Sequence, residues 1–212
     1  MQLREDLRKC GHTLSQKGLV WGRSGNISAK VEPDTFLISA SGSDLGLLRD
    51  EDIVNCRIKK DVWEGTAPPS IEVGLHRGIY QACENAVAII HSQPFFSSLV
   101  ACCDTVVRPD LLPETMAYLG KVARVPYHHA GSHELAEATA ARARTSQVLL
   151  LENHGVVCWG QSLDEAFLKT ETLEFLCRLL VVSGASGVSL NYLGEDVMKD
   201  FLQYLERIGE SA

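Results

Sequence analysis

The sequence predicts a single α/β domain, because segments of helical periodicity alternate with short β-type runs throughout the 212 residues. Apolar residues make up 45% of the chain, which is enough to bury one substantial core. Loops rich in glycine and serine separate the elements, and the chain contains no internal repeat or low-complexity tract. We therefore expect residues 1–212 to fold as one domain.

The first elements are predicted to be a helix and a hairpin. Apolar side chains recur at helical spacing from Leu3 to Leu14, which predicts an amphipathic helix over residues 2–17. Glycine and serine then alternate with two β-type runs at residues 26–31 and 35–39. This pattern is typical of a hairpin flanked by open loops.

The middle of the chain predicts a helix, a buried strand and a second helix. Ser70 is expected to cap the first helix, with Glu72 in its first turn. Residues 86–90 are all apolar and predict a buried strand that places His91 at its end. A short helix is expected over residues 95–103.

The last part of the chain predicts a pair of strands between helices. The expected elements are a helix from Ser132 to Arg144, strands at residues 148–151 and 156–159, a helix from Ser162 to about residue 182 that Gly184 ends, and a helix through residues 197–208. The turn between the two strands carries His154, which is therefore expected on a loop.

Composition excludes several classes of function. A formal net charge of −7 argues against a general nucleic-acid binder, which needs clustered cations to displace counterions from phosphates. No stretch has the length of a membrane span, and the residues after Met1 are polar and charged, unlike a signal peptide. Seven cysteines without a Cys-x-x-Cys pair indicate neither a disulfide framework nor a thiolate zinc site. We expect a cytoplasmic protein that contacts neither nucleic acid nor membrane.

Two histidines are the strongest candidates for chemistry. His91 is expected at a strand end and His154 in a tight turn, and neutral imidazole is a preferred ligand of zinc and related divalent ions. Gln93 follows His91 by two positions, but an uncharged amide oxygen is a weaker ligand than a third histidine would be. The residues themselves therefore indicate a metal site whose third ligand is in question.

Six short motifs, in this order, resemble the class II aldolase/adducin family across most of residues 10–180. They are Gly25-Asn-Ile-Ser28, Ser39-Ala-Ser-Gly42, Pro69-Ser-Ile-Glu72 with Leu75-His76, Ile90-His-Ser-Gln-Pro94, Leu112-Pro-Glu114 and Asn153-His-Gly155. Each motif is weak alone, but six at family-like spacings are specific for the fold. The resemblance implies a three-layer α/β fold with a central, mainly antiparallel sheet flanked by helices, and a homo-oligomer, commonly a tetramer with sites at subunit contacts.

The resemblance also implies roles for individual residues. It places His91 and His154 at two of the three histidine ligands of the family's metal, and Gln93 where the third histidine stands. It places Glu72 at the catalytic acid/base position. The positions that hold a substrate phosphate in the family are occupied here by Gly25, Asn26, Ser41, Gly42 and Ser70. Ile71 stands where the family often has a second hydroxyl residue.

These roles imply a metal-dependent, aldolase-like lyase that cleaves or forms a carbon–carbon bond in a small sugar phosphate or hydroxy-carbonyl compound. A divalent cation would stabilise the enediolate that this bond cleavage leaves, and Glu72 would move the protons. Two alternatives stay open. The same scaffold could support decarboxylation, epimerisation or dehydration, or the chain could be a metal-free binding or scaffold protein of the adducin type.

Gln93 leaves three hypotheses about the metal. Its amide oxygen could be a weak ligand, which would favour manganese over zinc. Another side chain, either Glu72 or one of His128 and His129, could complete the site. The metal could instead be lost. We favour retained binding of a divalent metal, zinc first, at reduced affinity, because two ligands and the candidate acid/base are present.

Three further positions have weaker cases. His76 shares an apolar helix face with Leu75, which predicts a core or intersubunit histidine. The segment 127–129, Tyr-His-His, is by default a solvated loop, although it could approach the site of a neighbouring subunit. Arg23 could pair with a phosphate or carboxylate through its planar guanidinium, or it could be an ordinary surface charge.

Overall fold

A computed structural model describes residues 2–209, which form seven α-helices and eight β-strands. The elements are α1 (Gln2–Gln16), β1 (Asn26–Glu32), β2 (Thr35–Ser39), β3 (Ile53–Arg57), β4 (Trp63–Glu64), α2 (Val73–Ala82), β5 (Ala88–Ser92), α3 (Phe95–Ala101), α4 (Pro113–Leu119), β6 (Val122–Val125), α5 (His133–Ala143), β7 (Val148–Leu151), β8 (Gly155–Gly160), α6 (Leu163–Ser186) and α7 (Glu195–Ile208). The single-domain prediction for residues 1–212 extends to Met1 and residues 210–212, which lie outside the described residues, and it stays a prediction.

The strands make one sheet in the order β4-β3-β2-β1-β5-β8-β7-β6. Within residues 2–209 every neighbouring pair is antiparallel except β6 and β7, which are parallel. This arrangement confirms the predicted α/β class with a mainly antiparallel sheet. Over the same residues, no helix combines the length and apolarity needed to cross a membrane.

Both faces of the sheet are covered, as the two-residue period of its strands requires. In β5, Ile89 packs into the core cluster that includes residues of α2 and α5, whereas Ile90 packs into a cluster that includes residues of α1. In β8, Val157 joins the first of these clusters, and Val156 faces a third cluster formed with α3 and α6. The result is three layers, helices on sheet on helices.

Several element boundaries differ from the sequence prediction. Helix α2 begins at Val73 and Glu72 holds the N-cap position, so the predicted capping by Ser70 is wrong. Ser70 instead continues an extended segment, because its backbone N–H donates to the Ser39 carbonyl at 3.1 Å. Its hydroxyl oxygen accepts from the Glu72 N–H at 3.3 Å, before the helix starts. Glu72 therefore lies immediately before the first turn of α2 and not inside it.

The observed ends of β5 and α6 also differ from the predicted ones. Strand β5 extends through Ser92, so His91 lies within the strand, where it pairs with Asn26 of β1 and Val157 of β8. Helix α6 passes through position 184 and ends at Gly187, which adopts the left-handed conformation with φ +70°. A glycine inside a long, well-packed helix is tolerated at a cost of about 1 kcal/mol, so it need not end the helix.

Glu174 of α6 fixes the start of α3. Its carboxylate accepts the backbone N–H groups of Phe96 at 2.9 Å and Ser97 at 2.8 Å, and the Ser97 hydroxyl at 2.7 Å. Helix α3 has Pro94 at its N-cap, which provides no side-chain cap in the described structure. Glu174, from a different helix of the same chain, thus supplies the acceptor and the negative charge that a helix N-terminus favours. Gln93 directly precedes this anchored turn.

We expect Glu174→Ala to lower the free energy of unfolding by about 1–3 kcal/mol, because three buried or partly buried donors lose a charged acceptor. Glu171→Ala on the same helix is the matched control. Its carboxylate pairs with Lys17 at a partly exposed position, so the loss should be at most about 1 kcal/mol. Urea unfolding of both variants measures the difference, and equal small losses would show that Glu174 does not anchor α3.

Candidate metal centre

Three elements bring one carboxylate and two imidazoles together. Glu72 comes from the N-cap of α2, His91 from the central strand β5 and His154 from the turn between β7 and β8. One ligand-type atom from each residue lies within 4.8 Å of the other two. The Nε2 atoms of His91 and His154 are 3.1 Å from Glu72 Oε2 and Oε1, respectively. Each carboxylate oxygen therefore faces its own imidazole.

The backbone fixes which nitrogen of His91 faces inward. Its Nδ1 lies 2.9 Å from the carbonyl oxygen of Val156, and a carbonyl only accepts hydrogen bonds. Nδ1 therefore carries a proton and Nε2 points at Glu72. A hydrogen bond from the outer nitrogen to a backbone carbonyl is the usual way to orient a metal-ligating imidazole.

Gln93 reaches the same histidine, since its side-chain nitrogen lies 2.8 Å from His91 Nε2. Among residues 2–209, the amide oxygen of Gln93 has no hydrogen-bond partner although it is buried, and the same is true of His154 Nδ1. Buried polar atoms are nearly always paired, so unpaired ones at a cluster of donor atoms indicate room for a further polar group. An amide rotation about the last side-chain bond of Gln93 would exchange its oxygen and nitrogen.

The charges at the site support one another. Burial alone would raise the pKa of Glu72, but the adjacent imidazoles of His91 and His154 outweigh it and hold that pKa far below its usual range. Burial disfavours a charged His91, yet the Glu72 carboxylate, together with the Val156 carbonyl, raises the pKa of His91. Glu72 is therefore an anion that is stabilised by positive charge on the histidine side of the site.

This donor set fits a divalent cation. Two imidazole nitrogens, a carboxylate and an amide oxygen are all ligand types of zinc or manganese, and a carboxylate flanked by two nitrogens can bind either a proton or a metal. Of the three hypotheses for completing the site, the structure places Glu72 beside both histidines. His128 and His129 do not belong to the group of mutually close ligand atoms in the described chain.

Two glycines permit the close approach of backbone segments to the end of β5. Gly25 has φ +77°, and a Cβ atom there would lie 2.6 Å from the carbonyl oxygen of His91. Gly155 has φ +159°, and a Cβ there would lie 2.6 Å from the carbonyl oxygen of Ser92 and 2.9 Å from Cγ of Gln93. Any side chain at either position would displace the strand that carries the candidate ligands.

The other predicted phosphate positions lie on two adjoining loops. Ser41 donates its backbone N–H to Pro68 at 3.0 Å, next to the contact between Ser70 and Ser39. Ser41 and Gly42 are exposed, and Gly42 has φ +71°. Ser70 is buried and directly precedes the turn into Glu72. These two loops therefore adjoin directly before α2, while phosphate binding by them stays a prediction.

The weaker candidates have different fates. His76 is fully buried in α2, so it is a core histidine of the chain itself. Tyr127 is exposed, and its hydroxyl lies 3.3 Å from Nδ1 of His129. Arg23 is exposed in the loop before β1. In the described chain, His129 is not among the mutually close ligand atoms of Glu72, His91 and His154.

A buried row of hydrogen bonds behind Glu72 was not predicted. Asn26 Nδ2 donates to Glu72 Oε2 at 2.9 Å, and Asn26 Oδ1 lies 2.5 Å from Nε2 of His76. Nδ1 of His76 is 2.6 Å from the Ser28 hydroxyl, which is 2.7 Å from the Tyr80 hydroxyl. The available signal was the spacing of His76 and Tyr80, two polar residues one helical turn apart on an otherwise apolar face.

Comparisons with known proteins agree with this geometry. The family model of the Class II Aldolase and Adducin N-terminal domain matches residues 5–181. The L-fuculose phosphate aldolase of Methanocaldococcus jannaschii is 34% identical over 183 residues, which cover 86% of this chain and 97% of that protein. The 3-oxo-tetronate 4-phosphate decarboxylase of Escherichia coli is 29% identical over 198 residues, which cover 91% of this chain and 92% of that protein.

A solved structure gives the same result for the fold. YgbL from Klebsiella pneumoniae, a candidate aldolase/epimerase/decarboxylase, superposes with a TM-score of 0.88 at 31% identity and covers 94% of this chain and 97% of that chain. The family model, the sequence relatives and the structural neighbour all cover the elements that carry Glu72, His91 and His154. The chain therefore belongs to the class II aldolase and adducin family.

Proposed function

We propose that this chain is a metal-dependent lyase of carbohydrate metabolism that breaks or forms a carbon–carbon bond next to a carbonyl in a small phosphorylated hydroxy-carbonyl compound. The observation that carries the proposal is the ionised carboxylate of Glu72 between two imidazole nitrogens, each at 3.1 Å. Two relatives support the reaction class, because one is named as an aldolase and the other as a decarboxylase of a phosphorylated substrate.

His91 and His154 would hold the metal, with the amide oxygen of Gln93 as a weaker third ligand. Zinc suits the imidazoles, and the oxygen of Gln93 shifts the preference toward manganese. When bound, the ion supplies positive charge that stabilises the negative charge developing on the substrate's carbonyl oxygen. The burial of His91 and Glu72 keeps bulk water from screening that charge.

Glu72 would be the proton-transfer group. Its lowered pKa keeps the carboxylate ionised at neutral pH, which is the form that accepts a proton, and also makes it a weaker base than an ordinary carboxylate. Oε2 accepts a hydrogen bond from Asn26 and also faces His91, whereas the close polar contact of Oε1 among the described residues is Nε2 of His154 at 3.1 Å. Oε1 is thus the oxygen available to a substrate hydroxyl or carbon.

The anionic end of the substrate would lie against the loops around Gly25, Ser41 and Gly42, beside Ser70 and Asn26. Glycine and serine present backbone N–H groups and hydroxyls without bulk, which suits a phosphate. Asn26 is a less direct candidate, because its side-chain amide already bonds Glu72 and His76.

Aldol cleavage and decarboxylation make similar demands on this site. Each breaks a carbon–carbon bond and leaves an electron pair that the neighbouring carbonyl must accept, and each ends with a proton delivered to carbon. Aldol cleavage also requires removal of a hydroxyl proton. We place aldol cleavage first, and decarboxylation is the second candidate because relatives of similar coverage are named for it.

The expected homotetramer and the expected cytoplasmic location stay predictions. The described chain contains seven free cysteines and no disulfide, as a reducing compartment would favour. Light scattering of the purified protein tests the assembly, and a monomeric mass would contradict it.

Protein purified without chelators should contain about one divalent ion per chain. His91→Ala and His154→Ala should each weaken metal binding by about 100-fold or more, since even partners outside the ligand set typically contribute about 10–100-fold. His133→Ala is the control, because the side chain of this histidine is 80% exposed. Elemental analysis and calorimetric titration measure both effects. A chain that takes up neither zinc nor manganese would favour the metal-free, adducin-like binding role.

Gln93→His should tighten zinc binding by about tenfold or more, equivalent to about 1.4 kcal/mol, because an imidazole replaces an amide oxygen. Manganese affinity should rise less. Competitive titration against a zinc chelator measures the change. Gln16→His on the exposed surface of α1 controls for non-specific binding by an added histidine. An unchanged zinc affinity would show that the side chain at position 93 does not reach the metal.

The metal-loaded chain should turn over a phosphorylated hydroxy-carbonyl compound, and Glu72→Gln should lower kcat by about 10²–10⁴-fold with the metal retained. L-fuculose 1-phosphate and 3-oxo-tetronate 4-phosphate are the first compounds to assay, by release of aldehyde and of carbon dioxide, respectively. Glu137→Gln, whose side chain is 70% exposed, is the control. Full activity of Glu72→Gln would remove the proton-transfer role from this residue.

A further inference from the structure

The row of buried hydrogen bonds behind Glu72 has one possible direction. The Glu72 carboxylate can only accept, so Asn26 must present its NH₂ to it and its oxygen to His76. That oxygen also only accepts, so His76 Nε2 carries a proton. Burial lowers the pKa of His76 to about 3, so the ring is neutral and its Nδ1 accepts from the Ser28 hydroxyl. Ser28 then accepts from the Tyr80 hydroxyl at 2.7 Å, a shorter contact than the 3.4 Å from that hydroxyl to the Val87 carbonyl. Every donor in the row points toward Glu72.

Stability does not explain this row. His76 and Ser28 are completely buried, Tyr80 is 4% exposed, and Tyr80 packs in the same apolar cluster as Leu75 and Ile79. A satisfied buried polar network contributes little net stability compared with apolar side chains of the same shape, whereas a broken one is costly. Polar residues at these positions are therefore better explained by their effect on the Glu72 carboxylate, which ends the row.

The group at the end of the row is the Glu72 carboxylate, and its orientation decides which of its oxygens can reach a substrate. Its side chain can rotate about several bonds, and the described contacts that hold Oε2 are Asn26 and His91. The Asn26 amide could itself turn by half a rotation, which would point its oxygen at the carboxylate and repel it. A turned Asn26 would place its NH₂ against His76 Nε2–H, so the turn requires His76 to change tautomer and the hydrogen bonds through Ser28 and Tyr80 to reverse.

We propose that His76 is a positioning residue for Glu72: as the neutral Nε2–H tautomer it donates to Asn26 Oδ1 and holds the Asn26 amide in the orientation that donates to Glu72 Oε2. The proposal rests on the proposed proton-transfer role of Glu72. His76 lies outside the group of candidate metal ligands in the described chain and acts through Asn26. Because Asn26 holds Oε2, the other carboxylate oxygen of Glu72, Oε1, is left as the reactive oxygen.

Two variants of His76 separate positioning from simple packing. A glutamine at position 76 can place an amide nitrogen near the site of His76 Nε2 and so keep the donor to Asn26. An asparagine is shorter, places its polar atoms near Nδ1 and loses that donor. His76→Asn should lower kcat by about 10–100-fold at unchanged KM, the range of one hydrogen bond in a charged network. His76→Gln should recover most of that loss.

His133→Asn and His133→Gln, at an exposed position of α5, are the matched controls and should leave kcat unchanged. Thermal unfolding of each variant is measured in parallel. Equal losses of kcat in both His76 variants, or losses that follow the melting temperature, would overturn positioning. So would a change confined to KM.

Nitrogen-15 NMR of the histidine rings in the unaltered protein tests the same proposal without substrate. We expect His76 to show a protonated Nε2 and an unprotonated Nδ1 near neutral pH. A protonated Nδ1, or a charged ring, would overturn the proposal even if the chain is an active lyase. If no substrate is turned over but the expected tautomer is found, the proposed function fails while the orientation of Asn26 by His76 stands.

Discussion

A buried carboxylate without positive charge beside it costs several kcal/mol, and this constraint shapes the whole site around Glu72. The charge is compensated from two sides. His91 and His154 face its oxygens at 3.1 Å, and the Asn26 amide donates to Oε2 at 2.9 Å. A metal ion held by the same imidazoles would add further positive charge. The elements that carry these groups must therefore stay at fixed distances from the N-terminus of α2.

The sheet provides that rigidity. Strand β5 lies in the middle of the sheet, with β1 paired on one side and β8 on the other. His91 is consequently held by backbone hydrogen bonds in both directions, and its ring is oriented by a carbonyl of β8. Gly25 and Gly155 let the flanking segments close onto the end of this strand, where a Cβ atom would clash with its carbonyl oxygens. Glu174 then fixes the helix that follows Gln93.

Sequence reasoning found the parts of the site that are marked by residue type, and missed those that depend on packing. His91, His154 and Glu72 were identifiable because imidazoles and a carboxylate stand in ordered motifs. His76 was predicted as a core or intersubunit histidine, and it is buried in the core of the chain. Its hydrogen-bond partners Ser28 and Asn26 lie 48 and 50 positions away, and Ser28 is 52 positions from its other partner Tyr80. No local pattern reports such separations.

The short strands β3, β4 and β6 were missed for the related reason that pairing with neighbours, and not a long apolar run, makes them strands. Capping by Ser70 failed because pairing with Ser39 competed for the same backbone.

The two oxygens of Glu72 have different surroundings, and this difference resolves a conflict in the proposed function. A site with Gln93 as a weak ligand leaves its metal short of strong donors, so the carboxylate could be drawn into the ligand set and lost to proton transfer. Oε2 is held by Asn26 on one side and faces His91 on the other, and the row behind Asn26 keeps that bond in place. Oε1 has His154 as its close contact among the described residues. One oxygen can therefore remain fixed next to the metal ligands while the other exchanges a proton with the substrate. A single carboxylate can serve both purposes only if its rotation is prevented, and the buried hydrogen bonds of Asn26 supply that restraint.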